Sequence, residues 1–375
     1  MQVDPNMRQR RSLAGLLMLL LPLATGDSVA AERTPDVSPD GVPQRLVLAL
    51  DGIPYDVFVE LQGQGYFTDF HPAARMVSTF PSLSDVAFAA IAGSEPPQGY
   101  QLMRFDATQN KVVGNTMGSL SSQAHPSIGE DSRSYSSWHR IIGYMAPYHV
   151  ALGEMREIGR EVLNSRKQTF VAYLETSDAV LHVEGRRAAE KFLIQLDVFL
   201  QDLQARVRTR TGRELFVDIV SDHGSTLTKG QVVPVERLLQ RCGFQRRDRI
   251  AHPYDVAYSL AGIIGSVAIT TSHEHAEEAA RCLAMADGVD LVAVDRGDAV
   301  GILASDGIGE VRLADTVPEA YEYRVLSGDP LGLLQGMTAV TERRFDESSL
   351  FMQTLDASRP DPLRRLWRAF HGDVK

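Results

Sequence analysis

Three apolar segments, each followed by an acidic residue, constrain the fold of this chain more than any other feature. The segments begin at Arg45, Gln168 and Glu214, and the acids that follow them are Asp51, Asp178 and Asp222. Short runs rich in Val, Leu and Ile are typical of strands buried on both faces. Their alternation with helical segments predicts an α/β fold with a mostly parallel sheet flanked by helices. Ligands bind such sheets outside the carboxyl ends of the strands, so we expect the three acids at one edge.

Two histidines accompany these acids. His182 lies four residues after Asp178, and His223 directly follows Asp222. Taken separately, each pair has an ordinary explanation, because an Asp and a His four residues apart can pair on a helix surface and Asp-His-Gly is common in turns. Carboxylates and imidazoles at neighbouring strand ends are also the ligands that zinc and similar cations prefer. Together the residues predict a site for two divalent metal ions.

The segment 76–93 adds a hydroxyl group to this edge. It predicts a short strand that ends at Phe80-Pro81, since proline cannot donate to a β-ladder, and then an apolar helix. Ser82 or Ser84 can cap this helix. Thr79 at the junction would face the helix N-terminus, whose unpaired N–H groups favour a phosphate or another oxyanion. Caps of this kind are common, so the segment gains weight only from the acids and histidines around it.

The first 30 residues have the pattern of a signal peptide. An arginine-rich start precedes the apolar core 13–24, and Ser28-Val29-Ala30 offers small residues for cleavage before Ala31. The core is too short to span a bilayer comfortably, and an uncleaved anchor is the alternative. Residues 31–43 read as a polar linker. We therefore expect a periplasmic or secreted protein with no stable membrane insertion after cleavage.

The pattern changes after residue 230. Residues 44–230 form the expected α/β core, and the short helices and alternating strands of 231–325 predict a small α+β cap insertion over its edge. Residues 326–375 are expected to return to the core, ending in an amphipathic helix. The two cysteines, Cys242 and Cys282, could pair in an oxidising compartment, but two buried thiols fit the sequence as well.

The charge of the chain limits its partners. A net charge of −10 argues against binding to nucleic-acid polymers. It does not argue against a small phosphate ester, because bound metal ions reverse the sign of the local field. The sequence does not predict an oligomeric state.

Four motifs, in this order, resemble the alkaline phosphatase superfamily, and most of all its type I phosphodiesterase and nucleotide pyrophosphatase branch. They are Asp51 after the first strand, Thr79-Phe80-Pro81, Asp178 with His182, and Ser221-Asp222-His223-Gly224. The motifs lie between residues 45 and 225 and are specific in combination. The resemblance implies an alkaline phosphatase-like fold and an exported, metal-dependent hydrolase of phosphate esters, acting on diesters or monoesters.

The same resemblance implies a role for each motif residue. Two divalent metal ions, most simply zinc, would be held in two sets: Asp51, Thr79, Asp222 and His223 around one ion, Asp178 and His182 around the other. Thr79 would be the nucleophile, since a metal ion lowers the pKa of a bound hydroxyl. Ser78, its neighbour, is the competing hydroxyl. Successive residues of a strand point to opposite faces, so only one of the two should reach the metal ions.

The sequence also departs from the family pattern. The family usually adds a late histidine to the second metal ion, and His371, followed by Gly372, is the best candidate by order among His252, His273, His275 and His371. Ser82 stands where the branch commonly has Asn, and the Asn that holds a phosphate oxygen has no clear match. These departures leave room for a catalytically impaired binding protein on the same scaffold.

Two further enzyme classes use a scaffold of this kind. A sulfatase normally uses a modified cysteine in a Cys-x-Pro-x-Arg motif, which this sequence lacks. An envelope phosphotransferase generally brings several membrane helices, and the sequence has no such series of apolar segments. A phosphoric ester hydrolase is therefore the interpretation that the sequence favours.

Overall fold

The computed structural model describes residue 38 and residues 41–95, 103–114, 145–227, 230–259, 265–315, 319–334 and 341–372. The predicted signal peptide and most of the predicted linker lie outside these residues. Within them, no helix is long and apolar enough to cross a membrane.

A parallel sheet carries the first, fourth and fifth strands of the described chain. These are β1 (Arg45–Leu50), β4 (Thr169–Leu174) and β5 (Phe216–Ser221). β1 is central and pairs in parallel with both neighbours, in the order β4-β1-β5. Leu50 stands opposite Leu174 and Ser221, so the three strands end level with one another. The prediction of an α/β chain with a parallel sheet is confirmed, and the register brings the residues after these strands to one edge.

Helices on this sheet bury most apolar side chains of β1 and β4, whereas β5 is only partly buried. The helices are α1 (Tyr55–Gly63), α2 (Ser84–Ala92), α3 (Pro147–Asn164), α4 (Thr176–Ala179) and α5 (Arg186–Thr211). A π-helical turn, Val180–Glu184, follows α4 directly. Leu48 of β1, Phe192 of α5 and Ile158 of α3 are almost fully buried in one shared core. The apolar residues of α5 recur at helical spacing and form the face that packs in this core.

The largest sheet in the described part of the chain is antiparallel. Its strands are β9 (Val292–Asp295), β10 (Val300–Ala304), β11 (Gly307–Leu313), β12 (Ala320–Gly328) and β13 (Thr341–Asp346), in the order β13-β12-β11-β10-β9. Helices α8 (Glu347–Thr354) and α9 (Pro362–His371) follow it in the chain, and α9 packs on it through Leu363 and Leu366. The parallel sheet has three strands and this antiparallel sheet has five. Strands that follow one another in the chain are neighbours in the larger sheet, and such strands pair antiparallel.

Two smaller sheets, with two helices beside the second of them, complete the described chain. β2 (Met103–Asp106) and β3 (Lys111–Gly114) form a hairpin, and β6 (Gln245–Arg246), β7 (Asp255–Tyr258) and β8 (Ile269–Thr271) form a three-stranded sheet. Helix α6 (Val235–Arg241) and helix α7 (Ala276–Ala284), the latter preceded by the 3₁₀ turn His273–His275, pack beside that sheet. A disulfide joins Cys242 to Cys282.

The strand expected over residues 76–79 is absent from the described structure. This segment has no ladder partner and leads into a cis peptide bond between Phe80 and Pro81. The Thr79 hydroxyl donates to the Pro81 carbonyl at 2.9 Å, and the Ser82 hydroxyl donates to the Thr79 carbonyl at 2.9 Å. Side-chain hydrogen bonds to nearby backbone groups compete with strand pairing, and here they fold the segment into a turn.

Candidate metal centre

Three side chains that follow the strands of the parallel sheet meet at the carboxyl edge of that sheet. Asp51 follows β1, His223 follows β5, and Asp178 lies in α4, just after β4. One ligand atom from each of the three side chains lies within 4.8 Å of the other two. The register of the sheet explains this meeting, because all three strands end level. The sequence prediction that these residues converge agrees with the structure.

Asp222 and His223 follow β5, and the imidazole of His223 faces the carboxylates of Asp222 and Asp51. Oδ1 of Asp222 accepts a hydrogen bond from the backbone N–H of Gly52 at 3.0 Å, while its Oδ2 is buried and makes no hydrogen bond. Nε2 of His223 lies 3.3 Å from that Oδ2 and 3.6 Å from Oδ1 of Asp51. Nδ1 of His223 lies 3.2 Å from the Gly224 carbonyl, where it can donate. This tautomer leaves Nε2 as an acceptor facing two carboxylates, an arrangement that a cation stabilises.

Asp178 and His182 lie one helical turn apart on α4 and the π-helical turn. Nε2 of His182 is 3.1 Å from Oδ1 of Asp178, and contact with this carboxylate raises the pKa of His182. Gly52, with a φ of +71°, packs directly beneath the Asp178 side chain. A Cβ at Gly52 would lie 2.2 Å from Oδ1 of Asp178. A side chain at position 52 would clash with Asp178, which explains the glycine at this position.

Burial and mutual repulsion disfavour the charged forms of the carboxylates. Burial raises the pKa of Asp51 well above its ordinary value, and the nearby Asp222 and Asp178 raise it further. Burial likewise raises the pKa of Asp222. Clustered carboxylates repel one another and lose solvation, so their charged forms require a counter-charge. A divalent cation would supply such a charge, and the mixture of carboxylate and imidazole donors is the set that zinc prefers.

Tyr173 supports the carboxylate of Asp51. It lies on β4, pairs with Ala49 of β1, and donates its hydroxyl to Oδ2 of Asp51. Burial raises the pKa of this tyrosine well above its ordinary value, so the hydroxyl stays protonated and remains a donor. Its ring packs edge-on against Phe88 of α2 at 5.3 Å. The sequence analysis does not single out Tyr173, although its place near the end of β4 is a signal that could have identified this role.

Two serines tie the strand ends together. The Ser177 hydroxyl lies 2.7 Å from the Asp51 carbonyl and 2.8 Å from the Leu174 carbonyl. The Ser221 hydroxyl donates to the His223 carbonyl at 2.9 Å and accepts from the N–H of Ile53 at 3.0 Å. These bonds fix the backbone on either side of Asp51, as groups behind metal ligands commonly do.

A buried glutamate holds the start of α4. Glu154 of α3 accepts hydrogen bonds from the hydroxyl of Thr176 at 2.5 Å and from its N–H at 3.3 Å. Burial raises the pKa of Glu154 to about 7. Because Thr176 begins the helix that carries Asp178, this contact sets the position of that ligand from the side of the core.

Ser84 brings a hydroxyl into the cluster. It is the first residue of α2, and its Oγ donates to Oδ1 of Asp51 at 3.1 Å and lies 3.4 Å from Nε2 of His223. The predicted nucleophile, Thr79, instead donates its hydroxyl to the Pro81 carbonyl. The hydroxyl of Ser78 is buried and makes no hydrogen bond. Sequence reasoning considered Ser84 only as a helix cap.

The late histidine of the family pattern is not supplied by His371 in this structure. Its two ring nitrogens each lie 3.1 Å from a backbone carbonyl, that of Trp367 and that of Gly297. The ring also stacks on Trp367 at 3.8 Å between centroids. His371 therefore behaves as a packed residue at the end of α9.

No family model, no curated protein and no solved structure matches this chain. The likeness to the alkaline phosphatase superfamily accordingly stands on the four sequence motifs, and the functional argument on the geometry of the site.

Proposed function

We propose that this protein is a metal-dependent hydrolase of phosphate esters. The observation that carries the proposal is the meeting of Asp51, Asp178 and His223 at the end of a parallel sheet, within 4.8 Å of one another. The buried Oδ2 of Asp222, which lacks a hydrogen bond, adds a further acceptor to the same site. A buried cluster of acceptors with few donors is stabilised by cations, and paired cations are well suited to phosphate esters.

The contacts of the site support the two metal sets that the resemblance implies, except that Thr79, a member of the first set, donates its hydroxyl to the Pro81 carbonyl. Asp51, Asp222 and His223 would hold one ion, and Asp178 and His182 the other. Bound there, the ions supply charge that neutralises the phosphoryl oxygens and lowers the pKa of a nearby hydroxyl. Zinc is the best candidate because the donors mix imidazole and carboxylate.

The protein's own groups orient the ester. Helix α2 begins beside Asp51 with the side chain of Ser84, and its first N–H groups lack partners within the helix. These N–H groups and the positive end of the helix favour a phosphoryl oxygen. Tyr173 keeps Asp51 in one orientation, so the carboxylate does not need to reorganise during the reaction.

The attacking hydroxyl comes from the segment 78–84. The resemblance assigns this role to Thr79, and Ser78 competes with it as the adjacent alcohol. The contacts of the site support Ser84, whose Oγ already lies against Asp51 and His223. The proposed reaction class requires one of these hydroxyls and does not depend on which.

We further propose that the mature protein is exported, with a small phosphate ester as its substrate. The disulfide between Cys242 and Cys282 supports an oxidising compartment such as the periplasm or the extracellular space. The arginine-rich start and short apolar core support the same route. Intact mass of the exported protein should place the new N-terminus near Ala31, and a mature chain that keeps Met1 and stays in the cytoplasm would contradict export.

Metal content and hydrolysis, measured on the same protein, test the proposal. Protein purified without chelators should contain about two zinc ions per chain and hydrolyse a 4-nitrophenyl phosphate monoester or diester. Asp222→Asn should lose both properties. Asp218→Asn serves as the matched control, because Asp218 lies on β5 with an exposed side chain that pairs with Arg45. A wild-type chain that binds no zinc, even after zinc addition, would overturn the proposal.

A binding protein on the same scaffold is the second candidate. It is favoured by the contacts of His371, which leave the Asp178 and His182 pair without the late histidine of the family. Such a protein would bind zinc and inorganic phosphate but release no nitrophenol from either ester. Zinc content together with turnover therefore separates the two candidates in one experiment.

A further inference from the structure

We propose that Ser84, rather than Thr79, supplies the attacking hydroxyl, an inference that rests on the proposed function. Its Oγ is the alcohol that the structure places in the carboxylate and imidazole cluster, 3.1 Å from Oδ1 of Asp51 and 3.4 Å from Nε2 of His223. It also stands at the first position of a nine-residue helix. The buried Oδ2 of Asp222, which makes no hydrogen bond, points independently to a ligand at this position.

Helix capping does not explain the position of Ser84. The residue that precedes α2 in the cap position is Leu83, with extended backbone angles, and no side chain caps this helix. Ser84 is already helical, and its hydroxyl donates to Asp51 across the site and not to the helix backbone. Asp346 shows what a cap looks like in this chain, because it accepts a hydrogen bond from the N–H of Ser349 at 2.8 Å.

Thr79 is engaged in the loop on both its side chain and its carbonyl. Its hydroxyl donates to Pro81, and its carbonyl accepts from the Ser82 hydroxyl at 2.9 Å and from Nη2 of Arg365 at 3.0 Å. Turning the Thr79 hydroxyl toward the cluster would break the first of these bonds. The structure therefore assigns Thr79 to the framework of the loop that leads into α2.

The chemistry balances with serine as the nucleophile. The bond between Ser84 Oγ and phosphorus forms as the ester bond between phosphorus and the departing oxygen breaks. The proton of the serine hydroxyl ends, through solvent, on the departing alkoxide. Water then attacks the phosphoserine, its hydroxyl joining phosphorus and its remaining proton restoring the serine.

Covalent labelling identifies the reacting hydroxyl without relying on turnover. An alkyl phosphonofluoridate should form a stable phosphonyl ester on the attacking oxygen of the zinc-loaded full chain, with release of fluoride. Peptide mass analysis should place the ester on Ser84. Ser84→Ala should reduce labelling at least about a hundredfold, and Ser84→Thr, which keeps a hydroxyl, should retain part of it. Ser94→Ala serves as the matched control, because Ser94 follows the other end of α2 and its hydroxyl donates to the Ala89 carbonyl.

The outcomes separate this inference from the proposed function. Zinc content and ester hydrolysis are measured on each variant, so a folded Ser84→Ala protein is recognised by its bound zinc. Label on Thr79 or Ser78, or full labelling and hydrolysis in Ser84→Ala, would overturn the assignment of Ser84 and leave the proposed function intact. A wild-type chain with neither zinc nor hydrolysis would overturn both.

Discussion

The hydroxyl of Tyr173 controls how firmly Asp51 is held. Tyr173→Phe removes the donor to Oδ2 of Asp51 while keeping the ring against Phe88. We expect zinc affinity to fall by about 10- to 100-fold, the usual cost of losing a partner behind a metal ligand. Competition with a chromogenic chelator measures the affinity. Tyr148→Phe, on α3, is the matched control, and equal affinities in the two variants would show that Tyr173 only packs.

Glu154 makes stability depend on pH in a defined direction. Burial raises its pKa from 4.5 to about 7 in the folded state. Between these values the unfolded chain releases a proton that the folded chain keeps, so the free energy of unfolding falls as pH rises. The slope is about 1.4 kcal/mol per pH unit, or about 3 kcal/mol over the window.

Glu154→Gln tests this dependence because glutamine imitates the protonated acid and does not titrate. The variant should match the wild type near pH 4.5 and exceed its stability by about 3 kcal/mol above pH 7. Urea unfolding at several pH values measures the difference between the two proteins. Parallel stability curves across this range would contradict the prediction.

At the scale of single residues, the sequence predicted which acids and imidazole meet at the sheet edge better than it predicted the residues that support them. Asp51, Asp178 and His223 could be predicted because acids and imidazoles at strand ends have few structural uses. The roles of Tyr173 and Ser84 could not, because they depend on which way a residue faces, and that depends on strand register and helix start. A tyrosine in a strand and a serine before an apolar helix are common without any site.

The turn after β1 is the element on which the site depends most closely. Gly52→Ala would place a Cβ 2.2 Å from Oδ1 of Asp178 at a φ of +71°. Gly41→Ala is the matched control, since Gly41 has a φ of +66° and nothing within 4 Å of the added Cβ. Both changes carry the cost of a left-handed backbone, about 1–2 kcal/mol, and only Gly52→Ala adds overpacking of about 1–3 kcal/mol.

Chemical denaturation and zinc titration distinguish these two costs. Gly41→Ala should be mildly destabilised with unchanged zinc affinity. Gly52→Ala should be less stable than that control and should bind zinc more weakly, because Asp178 is displaced. Equal destabilisation of the two variants would mean that the close approach of Gly52 to Asp178 has no energetic weight.

Strands were predictable where a run of apolar residues marks them and not elsewhere. β1, β4 and β5 are apolar runs, and each was expected within a few residues of its observed bounds. β13 was not expected, because this edge strand exposes the charged side chains of its sequence Thr-Glu-Arg-Arg-Phe-Asp. Such a strand shows little hydrophobic alternation, so its place is set by pairing with β12 and not by its own residues.

Helix α9 contacts the loop that precedes α2, although the two segments lie far apart in the sequence. Nη2 of Arg365, on α9, donates to the Thr79 carbonyl at 3.0 Å and lies 3.3 Å from the Ser82 hydroxyl. Phe80 packs against the apolar core of the antiparallel sheet. The loop before α2 is therefore held by the C-terminal part of the molecule, a connection that no local sequence pattern predicts.

Arg365→Met should loosen this loop while leaving most of the fold intact. The methionine keeps apolar bulk but lacks Nη2 and therefore both hydrogen bonds to the loop. Hydrogen exchange in peptides covering residues 78–86 should therefore accelerate about tenfold. Arg364→Met is the matched control, because Arg364 pairs with Glu347 of α8 and with Asp361, the residue directly before α9, and not with the loop. Equal exchange in the two variants would show that α9 does not restrain the loop.

The central position of β1 has a consequence for how the protein is made. β1 ends at Leu50, yet the strands on either side of it begin only at Thr169 and Phe216. The first strand of the sheet therefore has no partner until almost half of the chain has been synthesised, and its second partner follows later still, so this long-range pairing is slow. Before that pairing, Asp51 lies apart from Asp178 and His223. A refolding chain should accordingly acquire its affinity for metal only in the latest and slowest phase.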